Sequence, residues 1–276
     1  MSPAGLHTPE KFIDIKEVIK KKNPALAKMM PGFVLSFLKR LIHEDEINRL
    51  IFDYRDHYGL DFVRCILNDL KVTYEMEGLE QVPIGGRYIF ASNHPLGGFD
   101  GLVLMDAIGT VFPEIRFIVN DLLLNIKNFT PIFVPVNKHG LQPAEYARKI
   151  DETYSGNAQV LYFPAGLCSR KIRGIITDPK WSKNFIQKAV QYQRDIVPIY
   201  FEGRNSNFFY NLANLRKKLR IKANLEMTFL ADELFRQKGR HLQLKFGKPL
   251  THTIFDKSKD VTHWTELVRE KVYSMR

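Results

Sequence analysis

One histidine and one aspartate are spaced so that they could act as a catalytic pair. His94 and Asp100 stand in the segment NHPLGGFD, residues 93–100, and the five residues between them include two adjacent glycines. Imidazole has an unperturbed pKa near ~6.5, so it can take a proton from a hydroxyl group at neutral pH. A carboxylate on the other ring nitrogen would fix the tautomer and stabilise the imidazolium ion. The spacing therefore predicts a general base, His94, oriented by Asp100.

The same two residues also have a purely structural interpretation. Asp is a good N-cap before the apolar run Leu102–Met105, and His94 would then simply precede a helix. Short motifs of this kind often occur by chance, so the pair needs support from other segments. The apolar run Tyr88–Ala91 gives some support, because it predicts a strand that leads directly to His94. Open α/β sheets bind ligands beyond the carboxyl ends of their strands.

A second segment, LYFPAGLCSRK at residues 161–171, again runs from a predicted strand into Pro, Gly and then cations. Arg170 and Lys171 could neutralise a phosphate or carboxylate group, and Arg offers two parallel donors. The alternative is a solvated loop, which is the usual place of a short charge run. Cys168 in the same segment is a possible nucleophile, but a lone Cys is usually inert unless its pKa is perturbed. We assign Cys168 no catalytic role.

Two more segments combine a strand with residues of possible functional interest. In TPIFVPVNK, residues 130–138, a predicted strand delivers Lys138 to a loop. In residues 195–203, Pro198 lies inside a predicted strand, which indicates an irregular position in the sheet. The chain has no Gly-x-Ser-x-Gly elbow, no Walker loop and no dinucleotide-binding Gly-x-Gly-x-x-Gly motif, which disfavours those classes of enzyme.

Taken in order, these four segments resemble the four sequence blocks of the glycerol-phosphate and lysophosphatidic-acid acyltransferase superfamily. The resemblance covers roughly residues 70–250 and extends to the closing FGKPL at residues 246–250. By this likeness His94 and Asp100 match the His and Asp of the first block, and FPAG at residues 163–166 matches the Phe-Pro-Glu-Gly of the third. The four blocks together are far more specific than any one of them.

The resemblance implies direct acyl transfer to a hydroxyl group, without an acyl-enzyme, a bound cofactor or a metal. The co-substrate would be acyl-ACP or acyl-CoA, so the expected partners are acyl carrier protein or a CoA thioester together with a lyso-lipid acceptor. His94 and Asp100 would be catalytic. The expected substrate-binding residues are Asn93, Gly97, Gly98, Lys138, Gly166, Arg170 and Lys171.

Two departures from the superfamily pattern bear on the acceptor. Most members place four residues between the His and the Asp, whereas this chain has five, and Ala165 stands where a Glu is usual. The wider form resembles a bacterial branch named for hemolysins, some of whose members acylate amino-acid-containing lipids. We therefore expect a lyso-amino-acid lipid or a lysophospholipid as the acceptor. The alternative within the same class is a 1-acylglycerol-3-phosphate acyltransferase.

Charge and composition indicate where such a protein acts. The formal net charge of +11 predicts attraction to polyanions, either nucleic acid or anionic lipid. Two cysteines are too few for a disulfide framework, which fits a reducing compartment. We see no secretory signal, and no run approaches the ~20 apolar residues that span a bilayer. The expected place is cytoplasmic, peripheral on the inner face of the membrane, with an anionic membrane surface and no nucleic acid as partner.

Two amphipathic segments could make that contact. Residues 26–41 carry a broad apolar stripe, and residues 207–222 combine an apolar face with a basic cluster. Each could lie in a lipid interface or pack on the domain, and we leave both alternatives open. A rival from another class is a non-catalytic protein that binds anionic lipid or nucleic acid through the basic helix.

The hydrophobic pattern predicts an α/β fold with a mixed, largely parallel sheet covered by helices. The same pattern predicts that residues 1–70 form an N-terminal helical extension, and the resemblance implies that residues 71–276 form the acyltransferase catalytic domain. Short β-rich runs alternate with helical patterns after residue 70. The predicted strands are 72–76, 88–91, 116–119, 132–136, 159–163, 197–201, 225–230 and 242–246.

Overall fold

A seven-stranded mixed sheet organises the chain. The computed structural model describes residues 11–120, 126–136, 144–221 and 223–276. The sheet strands are β1 (Thr73–Glu77), β2 (Tyr88–Ser92), β3 (Ile115–Asn120), β4 (Phe133–Val136), β5 (Gln159–Tyr162), β8 (Asp195–Phe201) and β9 (His241–Phe246), and β6 (Arg170–Ile172) and β7 (Ile175–Thr177) form a separate hairpin. Their order in the sheet is β1-β9-β8-β2-β5-β3-β4. Within the seven-stranded sheet, β8 and β9 form the only antiparallel pair of described strands, so the predicted mixed, largely parallel sheet is confirmed.

Helices cover both faces of this sheet. They are α1 (Ile15–Lys22), α2 (Pro24–Met29), α3 (Gly32–Leu41), α4 (Glu44–Asp53), α5 (Gly59–Asp69), α6 (Gly98–Gly109), α7 (Ala144–Ser155), α8 (Asn184–Tyr192), α9 (Asn207–Lys218), α10 (Leu230–Phe235) and α11 (Val261–Tyr273). Strand β2 shows how the core is divided, because successive side chains point to opposite faces. Phe90 joins the core under α5 and α6, whereas Ile89 joins the core under α8 and α11.

The N-terminal helices differ in how deeply they pack. Phe62, Val63 and Leu67 of α5 are buried in the main core. By contrast, α3 has no buried residue, and Phe33 at 77% and Phe37 at 57% exposure lie on its surface. The domain boundary at residue 70 stays a prediction. Among the described residues, none of the helices combines the length and apolar content needed to cross a bilayer.

The predicted strand at residues 225–230 is wrong. Residues Leu225–Phe229 form a 3-10 helix that continues into α10. Alternating polar and apolar residues resemble a strand locally, but the buried Glu226 here pairs with cations on α9 and β6. Leu230 packs against a small core cluster formed by Cys168, Phe209 and Tyr210. These tertiary contacts outweigh the local β pattern.

Candidate active site

His94 and Asp100 are in direct contact at the carboxyl end of β2. The Nδ1 atom of His94 lies 2.9 Å from Oδ2 of Asp100. His94 follows β2 in a loop, and Asp100 stands in the first turn of α6. The two glycines allow the chain to turn between them, because Gly97 has φ = 77° and ψ = −130°, a conformation that is essentially restricted to glycine. The sequence motif thus places an imidazole and a carboxylate at hydrogen-bond distance.

The carboxylate of Asp100 is fixed from several directions. Its side chain is fully buried, with 0% exposure. The backbone N–H of Leu96 donates to Oδ2 at 2.9 Å, and that of Gly101 donates to Oδ1 at 2.9 Å. The N-terminal end of a helix also stabilises negative charge in its first turn. Asp100 is therefore an acceptor in every contact, so it orients His94 with Nδ1 as the donor and leaves the lone pair on Nε2.

An aromatic ring supports the imidazole from the side. Phe163, which follows β5, stacks on His94 with the ring centroids 3.9 Å apart and the planes 17° from parallel. Strands β2 and β5 are parallel neighbours, so both rings leave the same edge of the sheet. The His94 side chain keeps 15% exposure. The ring is thus held on one face and at Nδ1 but is still reachable by a substrate.

A second buried carboxylate, Asp178, holds the main chain of His94. The backbone N–H of His94 donates to Asp178 Oδ1 at 3.2 Å, and Ser169 Oγ donates to the same atom at 2.6 Å. Trp181 Nε1 donates to Oδ2 at 2.9 Å. Burial raises the pKa of the Asp178 carboxyl group, although the hydrogen bonds from Ser169 and Trp181 oppose that shift. Asp178 thereby joins the loop after β2 to the segment after β7.

Ser169 also binds the main chain of His94 directly. The Ser169 N–H donates to the carbonyl oxygen of His94 at 2.7 Å. Sequence reasoning missed Phe163, Ser169 and Asp178 as neighbours of His94. A partial signal existed for Phe163, which begins the FPAG segment, but Asp178 is 84 positions from His94 and no local pattern links them. These contacts are available only when the strands are placed side by side.

Of the predicted substrate-binding residues, Asn93 and Gly97 are engaged in the fold itself, whereas Gly98 borders open space. Asn93 is buried, and its side chain donates from Nδ2 to Phe201 O at 2.9 Å and accepts from Phe201 N at 2.7 Å. This side chain therefore extends the pairing of β2 with β8. A Cβ at Gly97 would lie 2.9 Å from Leu230 Cδ2, whereas a Cβ at Gly98 would meet nothing within 4 Å. Gly98 thus leaves space beside the start of α6.

The remaining predicted residues are distributed differently. Arg170 is buried, and its guanidinium donates to Glu226 Oε1 at 3.0 Å and to the Cys168 carbonyl oxygen at 2.8 Å. This cation therefore faces the protein interior, whereas Lys171 next to it is half-buried on β6. The N–H of Gly166 donates to Phe163 O at 3.0 Å. Lys138 lies outside the described residues.

The described site offers neither a reactive thiol nor a cluster of metal ligands. Burial raises the pKa of the Cys168 thiol to about 11, so the thiol is protonated at neutral pH, which agrees with its assignment of no catalytic role. Within the part of the chain that the structure describes, no three His, Cys, Asp or Glu side chains converge as metal ligands would. The chemistry that the described site supports is proton transfer at an oriented imidazole.

Comparisons with known proteins place the chain among acyltransferases. A family model described as "Acyltransferase" matches residues 17–276. The chain is 42% identical over 265 residues to a lyso-glycine lipid O-acyltransferase of Bacteroides thetaiotaomicron, covering 96% of this chain and 97% of that protein. It is 40% identical over 265 residues to a protein of the same name from Phocaeicola vulgatus, covering 96% and 95% respectively.

A solved structure is also similar. It is the crystal structure of PlsC, the 1-acyl-sn-glycerophosphate (LPA) acyltransferase from Thermotoga maritima. The match has a TM-score of 0.46 and 14% sequence identity, and it covers 87% of this chain and 95% of that chain.

Proposed function

The chain belongs to the acyltransferase family, and from that premise we propose that it transfers a fatty acyl group from a thioester to the hydroxyl group of a lyso-lipid. The observation that carries the proposal is the 2.9 Å contact between His94 Nδ1 and Asp100 Oδ2, which leaves Nε2 as a base. The two curated relatives, at about 40% identity over nearly the whole chain, act on lyso-glycine lipid by name. A lyso-amino-acid lipid is accordingly the acceptor that we propose.

The proposed reaction begins with proton removal at Nε2 of His94. The acceptor hydroxyl oxygen attacks the thioester carbonyl carbon while its proton passes to the imidazole. The tetrahedral intermediate then collapses, the C–S bond breaks, and the departing thiolate recovers the proton from the imidazolium ion. Asp100 stabilises that cation, so the same contact serves the forward and the return proton transfer. The donor in this proposal is acyl-ACP or acyl-CoA.

The start of α6 is the best place for the developing oxyanion. The first N–H groups of a helix have no partner within the helix, and they point toward negative charge at its N-terminus. Gly98 is the first residue of α6, and its open surroundings allow a substrate to approach the backbone. Gly166 is the other candidate from the sequence, but its N–H already donates to Phe163 O. We therefore assign the oxyanion to the Gly97-Gly98 turn.

The surroundings of Arg170 argue against a role for this residue in binding the acceptor headgroup. In the sequence, Arg170 was the expected cation for an acceptor headgroup. Its guanidinium instead pairs with Glu226, which also binds Arg216 at 2.8 Å in an ion cluster that is largely removed from solvent. Releasing Arg170 to a phosphate or to a carboxylate would leave the buried Glu226 with one cation fewer, which is costly.

We also propose that one face of the protein contacts an anionic membrane surface. Helix α9 lies beside the β6–β7 hairpin, because Asn214 Nδ2 donates to Lys171 O at 3.3 Å. The α9–hairpin surface, as we call it, carries the exposed apolar side chains of Ile172, Ile175, Leu215 and Leu219. Lys217, Lys218 and Arg220 are exposed at the end of α9. Apolar side chains bordered by cations are typical of helices that lie in a lipid interface.

The direct test is acyl transfer by purified protein. Wild-type protein is incubated with acyl-ACP or acyl-CoA and with either lyso-glycine lipid or lysophosphatidic acid as acceptor, and the product is quantified by mass spectrometry. We expect turnover with the lyso-glycine lipid. His94→Ala and Asp100→Asn should each reduce turnover by about 10²- to 10⁴-fold, because both variants remove an oriented general base.

A matched control variant separates chemistry from folding. His263 is exposed at the start of α11, and its described contacts are with Asp260 and Trp264, so His263→Ala should retain wild-type turnover. Circular dichroism should show that the three variants are folded. Near-normal turnover by folded His94→Ala protein would refute the assignment, and preference for lysophosphatidic acid would replace the proposed acceptor.

A further inference from the structure

A cavity opens beside the loop that carries His94. Its volume is about 590 Å³, and Pro95 and Ser169, which flank or bind the backbone of His94, form part of its wall. Tyr200 at the carboxyl end of β8 and Leu242 at the start of β9 form another part. The cavity therefore lies at the same edge of the sheet as His94, where α/β proteins bind their ligands.

The lining of this cavity is strongly cationic. Arg204, Arg240 and Arg276 belong to its lining, together with one acidic residue, Glu202. Among the described residues, no carboxylate forms an ion pair with any of these three arginines. The group closest to such a role is Asn207, whose Oδ1 accepts a hydrogen bond from Arg204. Three guanidinium groups around one concave site favour an anion, and guanidinium groups bind carboxylates with two parallel hydrogen bonds.

We propose that this cavity binds the carboxylate of the acceptor lipid. The inference rests on the proposed function: an amino acid that is joined to an acyl chain through its nitrogen keeps a free carboxylate. The hydroxyl group to be acylated would then lie toward His94, across the loop formed by residues 93–95. Arg240 and Arg204 would determine this specificity, because a guanidinium group donates two parallel charge-assisted hydrogen bonds to a carboxylate and only weaker ones to a neutral ester.

The position of the hairpin favours the acceptor lipid over the acyl donor. Ile176 of β7 lines the cavity, whereas its neighbour Ile175 is 58% exposed on the α9–hairpin surface. A single strand therefore separates the cationic cavity from the apolar surface. A lipid can place its anionic end in the cavity and its chain along the hairpin, which suits a molecule with one charged end and one apolar end.

The test compares a charged acceptor with a neutral one. The acceptors are lyso-glycine lipid with a free carboxylate and its methyl ester, and the proteins are wild type, Arg204→Gln, Arg240→Gln and the control Arg148→Gln. Arg148 is an exposed arginine of α7 that pairs with Glu152 and does not line the cavity. We expect Arg240→Gln to raise the KM for the free acid about tenfold or more, with kcat and the KM for the donor nearly unchanged, since the variant loses a charge-assisted hydrogen bond to the carboxylate.

The ester distinguishes a specific carboxylate site from a general surface effect. Wild type should discriminate against the ester by a factor similar to the effect of Arg240→Gln, and the arginine variants should discriminate much less. Equal discrimination by wild type and by both arginine variants would overturn the carboxylate site, as would a rise in the KM for the donor alone. If wild type acylates no lyso-lipid, the proposed function fails as well, so the two failures are distinguishable.

Discussion

At the scale of single residues, His94 is held by two carboxylates that have different tasks. Asp100 binds the ring at Nδ1, and Asp178 binds the backbone N–H of the same residue. A base must lie within hydrogen-bond reach of the proton that it removes, and an error of about 1 Å in its position can cost about 10² in rate. Asp178 is therefore a positioning residue in our proposal, since it acts on His94 and not on the substrate.

The variant Asp178→Asn should lower kcat by roughly 10- to 10²-fold while the KM for the donor changes little. The amide keeps an oxygen that can accept from His94 or Ser169, but its NH₂ group cannot accept from Trp181, so the loop after β2 loses part of its support. The measurement is steady-state kinetics with either thioester. A variant with unchanged kcat would show that Asp178 contributes only to folding.

The pH dependence of stability gives an independent measurement on the same variant. Because burial raises the Asp178 pKa above its ordinary value of 3.8, the folded protein holds that proton more tightly than the unfolded chain. This contribution to stability is present below the ordinary pKa and is lost as the pH rises through the raised value. Asn is neutral throughout, so urea denaturation should show the stability of Asp178→Asn improving relative to wild type as the pH rises from about 4 to about 7.

How much of the site the sequence predicts depends on the distance between the partners along the chain. His94 and Asp100 are separated by one turn, so their residue types and the two glycines between them suffice. Arg170 was expected to face an acceptor, and nothing near it in sequence indicates that Glu226, 56 positions later, pairs with it in the interior. The contact of Asp178 with His94 was not predicted for the same reason, since 84 positions separate the two residues. Local patterns point to the groups that we propose to react, whereas the side chains that hold them in place come from distant segments of the chain.

At the scale of elements, the turn into α6 determines the geometry of the contact between His94 and Asp100. Gly97 precedes the helix with a positive φ, and a Cβ there would also meet Leu230 of α10. Gly98 begins the helix and has open space where a Cβ would stand. The two neighbouring glycines thus have different physical reasons to be glycine, although the sequence alone makes them look equivalent.

Alanine substitutions at Gly97 and Gly98 should therefore change the free energy of unfolding differently. We expect Gly97→Ala to lower the free energy of unfolding by about 1–3 kcal/mol, because the backbone conformation is strained for any residue with a Cβ. Gly98→Ala should leave stability unchanged or raise it by up to about 1 kcal/mol, because alanine loses less entropy than glycine in a helix. Chemical denaturation measures both, and equal stability of the two variants would contradict this explanation of the turn.

The secondary structure shows where local pattern is sufficient and where it is not. The strand β2 and the helix α6 follow directly from long apolar runs. The β6–β7 hairpin was not predicted, because its two-residue turn has Arg at 173 with φ = 48° and Gly at 174 with φ = 83°. Such turns usually contain Asn-Gly or Asp-Gly, so the Arg-Gly pair here does not indicate a hairpin in the sequence.

The irregular position predicted for Pro198 can be compared with the pairing of β8. Pro198 lies between two stretches of antiparallel pairing, the β8–β9 ladder that starts at Ile199 and the isolated bridge between Ile196 and Leu250.

At the scale of the whole molecule, the catalytic loop, the cationic cavity and the α9–hairpin surface are connected. Ser169 binds the backbone of His94, and β6 begins at the next residue. Ile176 then links the hairpin to the cavity. An enzyme that takes a lipid from a membrane needs its reactive group, its headgroup site and its membrane contact within one lipid length. Membrane binding by the α9–hairpin surface and acyl transfer at His94 should therefore be measured on the same variants.

The α9–hairpin surface should bind anionic vesicles through its apolar and basic side chains together. We predict that Leu215→Ser combined with Leu219→Ser weakens binding to phosphatidylglycerol vesicles about tenfold or more, because these leucines are 53% and 61% exposed and would enter the interface. Lys217→Gln combined with Lys218→Gln should weaken binding at low salt, by about 1 kcal/mol per Lys, and matter little at high salt, where the charges are screened.

Sedimentation with vesicles measures the binding, and Ile84→Ser is the matched control. Ile84 is 75% exposed in the segment between β1 and β2, and it does not belong to the α9–hairpin surface, so its replacement should leave binding unchanged. Each variant is also assayed with a short-chain acceptor that is soluble without a membrane. If the leucine variant turns over that acceptor normally but loses activity on vesicle-borne lipid, the surface delivers the acceptor to His94. Unchanged vesicle binding by the leucine variant would place the membrane contact elsewhere, with the exposed apolar side chains of α3 next to be tested.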